Sequence, residues 1–264
     1  MELVVKGQKA YAYSGSKPFD ASLPVLVFVH GAEHDHSIWI LQTRYLAHHG
    51  YGVLAVDLPG HGRSEGPPLA SVEAVADWVV ALLDAAGVAK ATIIGHSMGS
   101  LVAVDAAGRF PDRIERIILV CSSFPMNVSA ELLAATRDDE PLAQDMVNIW
   151  SHSSIAHYPS NPGPGFWVIG GNLRLMQRQK PGVMHVDFAA CNDYAAGLER
   201  AAAIRCPALL ILGARDVMTP PRAAQALAKA ISGARTVTIP GAGHNLMAEK
   251  PDEVLDAMVA FLAA

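Results

Sequence analysis

Cysteine is scarce in this chain of 264 residues, and the three that occur, Cys121, Cys191 and Cys206, are far apart and odd in number. Their spacing fits neither a disulfide framework nor a zinc site, which points to a reducing, cytoplasmic compartment. An excess of charge of one sign is missing too. The net charge is −5 and the basic residues are scattered, so the chain has no electrostatic footprint for a nucleic acid or an anionic membrane. Long apolar runs are also absent: each is soon broken by Gly, Pro or a charge, well short of the roughly 20 residues a membrane span needs. The segment Met1 to Gly7 lacks the charged start, apolar run and cleavage site of a secretory signal and reads as a strand. Internal repeats and low-complexity runs are not found. These absences leave a soluble monomer or homodimer with a small molecule as its partner.

Hydrophobic residues make up 51% of the chain and charged residues 17%, the balance of a folded protein with a large interior. The length suits one large domain, or one domain carrying an insertion. Short β-like runs at Leu3 to Val5 and Ala10 to Tyr13 precede the apolar run Val25 to Val29, which reads as a buried strand. A helical stretch from Ile38 to His49, closed by Gly50 as a C-terminal cap, leads to the strand Val53 to Val56. Helix then alternates with strand. A helix from Val72 to Ala86, begun by Ser71, leads to the strand Ala91 to Ile94 and a helix to Arg109. The strands Ile114 to Val120, Ala208 to Leu212 and Thr236 to Ile239 follow, with helices at Pro220 to Ile231 and Pro251 to Leu262. Such alternation predicts an eight-stranded, mostly parallel α/β sheet with helices on both faces.

Between Cys121 and Cys206 the alternation stops. Residues 122–205 read as a helical lid inserted after strand 6, dividing a core made of 1–121 and 206–264. The insert holds Trp150, Tyr158, Phe166, Trp167, Phe188 and Tyr194 together with several methionines, and Pro162 to Gly165 reads as a rigid loop or a hinge. Trp150, Trp167 and Val217 are candidate substrate-binding residues, although the tryptophans would also serve to fill the lid's own small core.

Gly95-His96-Ser97-Met98-Gly99 lies between a predicted strand and a predicted helix. A serine on so sharp a turn is forced into a strained backbone with its hydroxyl exposed, and the glycines let neighbouring chain approach. Taken alone, five residues with three fixed identities arise often by chance. A serine hydroxyl is a poor nucleophile without a base and a group to hold that base. Asp216 follows the strand Ala208 to Leu212, and His244 follows the next strand, so both stand at the same sheet edge as Ser97. Asp216 as a helix cap and His244 as a turn residue are the plain alternatives. Their coincidence with the right strand ends argues for a catalytic set: Ser97 as nucleophile, His244 as base, Asp216 as its orienter. The backbone N–H groups of Ala32, after the strand Val25 to Val29, and of Met98 are the candidate oxyanion donors.

His30-Gly31, Asp57-Leu58-Pro59-Gly60-His61-Gly62-Arg63-Ser64, Gly95 to Gly99, Asp216 and Gly243-His244 together resemble the landmarks of capped α/β-hydrolase fold proteins along essentially the whole chain. The resemblance implies that Asp57 to Ser64 is a structural loop near the sheet edge. Relatives that open epoxides or remove halides resemble the chain in fold but carry Asp where Ser97 stands. A serine nucleophile points instead to small or medium carboxylic esters or lactones, cleaved through an acyl-enzyme without metal or organic cofactor. Hydrolysis of a C–C bond in aromatic ring-cleavage products and a perhydrolase or haloperoxidase-like activity suit the same residues, and a non-catalytic small-molecule receptor is the reading from another class. His34, Asp35 and His36 cluster after the oxyanion loop without the further ligands a metal needs. His96 reads as a packing and hydrogen-bonding residue, and His152, His157 and His185 as surface positions of the insert. Arg174 and Arg178, four apart, share one helix face that is either solvated or able to hold a substrate carboxylate.

Overall fold

The fully buried runs of the chain become its central strands. The computed structural model describes residues 1–154, 156 and 167–264. Its eight strands are β1 (Glu2–Val5), β2 (Gln8–Tyr13), β3 (Val25–Val29), β4 (Gly52–Val56), β5 (Ala91–His96), β6 (Ile114–Val120), β7 (Ala208–Gly213) and β8 (Arg235–Ile239). They form one sheet in the order β1-β2-β4-β3-β5-β6-β7-β8. The pairs β1/β2 and β2/β4 are antiparallel, whereas every pair from β4 to β8 is parallel. Every residue of β3, β4, β5 and β7 is buried, as strands covered on both faces must be.

Strand periodicity sorts the core into two layers. Val25, Val27 and Val29 belong to one cluster and Leu26 and Phe28 to the other, because successive side chains leave a strand on opposite faces. The first layer is covered by α2 (Val72–Ala85) and α3 (Met98–Arg109), the second by α1 (Ile40–His48) and α11 (Pro251–Leu262). Helix α2 buries Val72, Val75, Ala76, Val79, Leu82 and Leu83, an apolar stripe at helical spacing, and the Ser71 side chain accepts a bond from Ala74 N to close its first turn. Gly50 lies just past α1 with φ +92°, the left-handed turn that favours glycine. The stretch expected to be one helix from Ile38 opens as a 3-10 turn at His36–Trp39, because the Asp35 side chain caps Ser37 N before α1 begins.

Five helices lie between β6 and β7: α4 (Ala130–Asp138), α5 (Glu140–Trp150), α6 (Val168–Gln177), α7 (Val183–Asp193) and α8 (Gly197–Ala203). Helices α4 to α7 share a small apolar cluster of their own that includes Leu132, Val147, Met176, Met184 and Phe188 and reaches Ala32 of the core. Helix α8 packs differently. Its Ala201 belongs to the main core, and a Cβ on Gly108 of α3 would stand 2.6 Å from the Arg200 carbonyl oxygen, so 122–205 does not pack as a single unit. The Pro162 to Gly165 stretch, Tyr158, Phe166 and His157 lie outside the described residues. The short α9 (Pro221–Ala230) and α10 (Leu246–Glu249) complete the helices of the described residues. No helix among the described residues is long and apolar enough to cross a membrane.

The contact between β3 and the start of α3 is very close. A Cβ on Gly99 would stand 2.7 Å from the His30 carbonyl oxygen and nearer still to that of Val29, so only glycine lets helix and strand meet. Gly99→Ala should therefore cost about 1–3 kcal/mol of stability through overpacking, seen as a lower denaturant midpoint with an unchanged m-value.

Candidate active site

The carboxyl edge of the sheet gathers the predicted residues. Ser97 sits on the turn between β5 and α3 with φ +51° and ψ −117°, a strained conformation for a side chain with a Cβ. Its backbone is held there on two sides: Ser97 N donates to Val120 O at 3.0 Å, and Ser97 O accepts from Ser100 N at 2.8 Å. The Ser100 hydroxyl reaches the same carbonyl and is bonded to Ser122 Oγ at 2.7 Å.

Asp216 follows β7, and both its oxygens are engaged. Oδ1 accepts from the backbone N–H groups of Met218 at 2.9 Å and Thr219 at 2.8 Å. Oδ2 accepts from the Thr219 hydroxyl at 2.6 Å and from His244 Nδ1 at 2.8 Å. Side-chain exposure is 0% for Asp216 and 5% for His244, so the pair is shielded from water. Burial alone would push the Asp216 carboxyl up; the imidazole and the Thr219 bonds outweigh it and hold the group well below its usual range. A carboxylate on Nδ1 fixes the tautomer of His244 and leaves Nε2 as the acceptor. The loop carrying His244 is pinned twice. Gly243 N donates to Glu249 Oε1 at 3.0 Å, and His96 Nε2 meets the His244 carbonyl oxygen at 3.0 Å. Burial, with His244 and His34 nearby, keeps His96 far below the usual imidazole range, so it stays neutral and donates through Nε2.

Ser97 and His244 line one cavity of about 470 Å³. Among the described residues no hydrogen bond joins their side chains, and such joints are commonly long before substrate closes a site. Ala32 lines the same cavity. A Cβ on Gly31 would stand 3.2 Å from Ser97 Cβ, so the backbone of the His30-Gly31-Ala32 loop runs against Ser97. Met98 opens α3, where first-turn N–H groups lack helical acceptors.

The other predicted residues divide. Trp150 and Val217 line the cavity, Val217 at 66% exposure near its mouth. Trp167 does not line it: the ring lies over Gly170 at the start of α6 and is 68% exposed, which leaves it neither in the cavity nor in the insert's core. His152, expected at the surface, is buried, with Nδ1 bonded to Asn148 O at 2.7 Å and Nε2 near Asn245 Nδ2 at 3.0 Å. His185 is half-buried and bonded to the Thr136 hydroxyl. Arg178 binds the buried Asp35 carboxylate through Nε at 2.8 Å and also reaches Ser37. Arg174 bonds Gln177. Asp35, His36 and Asp57 approach one another closely enough to suggest a metal, yet their lone pairs already serve Arg178, Ser37 and the backbone N–H groups of His36 and Arg63.

Sequence reasoning missed Thr219, whose hydroxyl bridges Asp216 and His244; an Asp followed three residues later by Thr was the available signal. It also missed Glu33, beside Ala32. This buried residue has φ +55°, its N–H donates to Asp187 Oδ2 at 2.8 Å, and its Oε1 accepts from Gln144 at 2.8 Å. His61 shares the same Asp187 oxygen. Burial, reinforced by the neighbouring Glu140 and only partly offset by Gln144, pushes the Glu33 carboxyl up to about 9. It is neutral at pH 7.

With this geometry in place, comparison with known proteins gives a family. A family model described as alpha/beta hydrolase fold matches residues 24–251, and the chain belongs to that family. It is 32% identical over 207 residues to a pimeloyl-[acyl-carrier protein] methyl ester esterase of Neisseria meningitidis, across 73% of this chain and 75% of the relative. It is 25% identical over 262 residues to an sn-1-specific diacylglycerol lipase of Mus musculus, across 92% of this chain and 82% of that one. Among solved structures, the enol-lactonase from Burkholderia xenovorans LB400 superposes with a TM-score of 0.86 at 26% identity, covering 100% of both chains.

Glu33 yields a pH signature. The folded state keeps its proton up to about 9 while the unfolded chain loses it near 4.5, so this group makes the fold less stable as pH rises between those values. Glu33→Gln should remove that loss. Chemical denaturation of both proteins across that window should show the variant gaining on the wild type as pH rises; a constant difference would mean an ionised Glu33.

Proposed function

We propose that the protein is a serine hydrolase that cleaves a small or medium carboxylic ester or lactone through an acyl-enzyme on Ser97. The observation that carries this reading is the buried Asp216–His244 pair, 2.8 Å apart, whose His244 lines the cavity that Ser97 also lines. His244 Nε2 takes the Ser97 proton as the hydroxyl attacks the acyl carbon. Asp216, fixed by Thr219 and two backbone N–H groups, stabilises the imidazolium and keeps Nδ1 occupied. The N–H groups of Ala32 and Met98 receive the charge that develops on the carbonyl oxygen. His244 then returns the proton to the leaving alcohol, and in the second step deprotonates the water that releases the acid. In a lactone the leaving alcohol stays attached, and the product is a hydroxy acid.

Within 122–205, helices α4 to α7 act as the lid, with α4, α5 and α7 contributing Leu132, Trp150 and Phe188 to the cavity wall. Similarity to a methyl ester esterase and to an enol-lactonase supports the substrate range. The three unpaired cysteines suit a cytoplasmic enzyme.

A fluorophosphonate should label the wild type at Ser97 and leave Ser97→Ala unlabelled. Against a panel of nitrophenyl esters and lactones, Ser97→Ala should lower kcat by about 10⁶-fold and Asp216→Asn by about 10⁴-fold, with circular dichroism unchanged. Near wild-type turnover by either variant would remove the triad.

A further inference from the structure

The wall of the main cavity carries almost no charge. Most of it is apolar, from Ala32, Met126, Leu132, Trp150, Phe188 and Met218, while Glu131 alone among its described residues is formally charged besides the titratable His244. Neither Lys nor Arg lines it, and the sequence at 155 and 157–166, outside the described residues, contains neither. Two arginines of the insert are already bonded elsewhere, Arg178 to Asp35 and Arg174 to Gln177. The positive end of α4 meets the cavity at Ser129. There the Ser129 hydroxyl already accepts from Leu132 N at 3.2 Å, and Glu131 occupies the same first turn, so the dipole has its anion.

From this wall we infer that the site selects acyl groups without negative charge, with Glu131 acting as the charge filter. The inference rests on the hydrolase reading for the bond that is cut, but not for what the cavity binds. A carboxylate at the far end of an acyl chain would give up part of its hydration against this lining, five of whose residues, Glu131 among them, are exposed, and would find no cation in exchange. It would also meet the Glu131 carboxylate. A neutral chain of equal length loses nothing comparable, and burial of its methylenes against Leu132, Phe188 and Met218 favours it. The discrimination is electrostatic rather than steric, so it persists when length and shape are matched.

Three probes separate charge from polarity and size: p-nitrophenyl hexanoate, the p-nitrophenyl ester of adipic acid monoamide, and mono-p-nitrophenyl adipate. Wild-type kcat/KM should be about 100-fold or more lower for the adipate half-ester than for the other two, the scale on which an unmatched polar demand discriminates. Glu131→Lys should raise the half-ester at least about tenfold relative to hexanoate, since it turns a repulsion into a pairing. A half-ester turned over within about threefold of hexanoate would overturn the inference, and a ratio unmoved by Glu131→Lys would overturn the part given to that residue. Equilibrium binding of the three probes to Ser97→Ala supplies an arm that needs no turnover. If the wild type hydrolyses none of them while Ser97→Ala still prefers the neutral pair, the selectivity stands and the hydrolase reading falls; equal binding of all three overturns the selectivity itself.

Discussion

A carboxylate shielded from water must be matched by donors, and the Asp216–His244 contact is where the structure meets that demand. Four hydrogen bonds converge on the two oxygens of Asp216, three from the segment 218–219 and one from the imidazole. In a shielded setting such charge-assisted bonds are strong, and leaving either partner unmatched would be costly. The demand reaches outward. His244 must stand at one place, so its loop is tied to Glu249 and to His96, and Glu249 in turn holds Ser153 at the end of α5. The site is thus fixed by a chain of satisfied polar groups laid along the carboxyl edge of a parallel sheet.

That sheet is also why so much was readable in the sequence. Val25 to Val29 and Ala91 to Ile94 announce themselves because strands covered on both faces have no polar face to interrupt the run. Ser97 was legible because its turn requires glycine at 95 and 99 for reasons of space, and space leaves a residue signature. Asp216 and His244 were legible by position, each just past a strand of the same sheet. The unread features depend on contacts between distant segments. Nothing in the local sequence tells that Asp187 of α7 receives both Glu33 N and His61 Nε2, or that His152 is buried against Asn245. Trp167 misled in the opposite sense: an aromatic residue suggests a core, and this one is left on the outside by the turn that starts α6. Helix α8 belongs with the core because a glycine on α3 admits it closely, a match that neither helix reveals alone.

The insert is fastened to the core by two kinds of contact with different consequences. At its C-terminal end the insert joins the main core through Cys191, Tyr194, Ala201 and Ile204, whereas its own apolar cluster is small and reaches Ala32, and the contacts around that loop are polar: Arg178 and Gln179 on Asp35, Gln144 on Glu33, Asn172 on His34, Asp187 on His61. Each such bond exchanges with water at a net cost of about 0.5–1.5 kcal/mol, whereas exposing a large buried side chain costs about 1.5–3 kcal/mol. The polar part of the seam specifies where α5 and α6 sit more firmly than it resists their movement, while α8 is anchored in the main core. The main core, with Phe28, Leu26, Ile93 and Leu101 fully buried, has the reverse character.

Glu33 shows how the two regimes meet. It lies next to Ala32, whose N–H is assigned to the oxyanion, and its backbone is held in the left-handed region by bonds that come from the insert. Ionised, it would place a negative charge one residue from the N–H proposed to receive the oxyanion, and would oppose the proposed acyl transfer. Burial keeps it neutral instead, and the neutral carboxyl still gives Gln144 of α5 an acceptor. Burial therefore removes the electrostatic conflict that an ionised glutamate would create beside the proposed oxyanion donor. Hydration of this carboxyl would favour its ionised form, so the contact of α5 with Glu33 and the neutrality of Glu33 depend on each other.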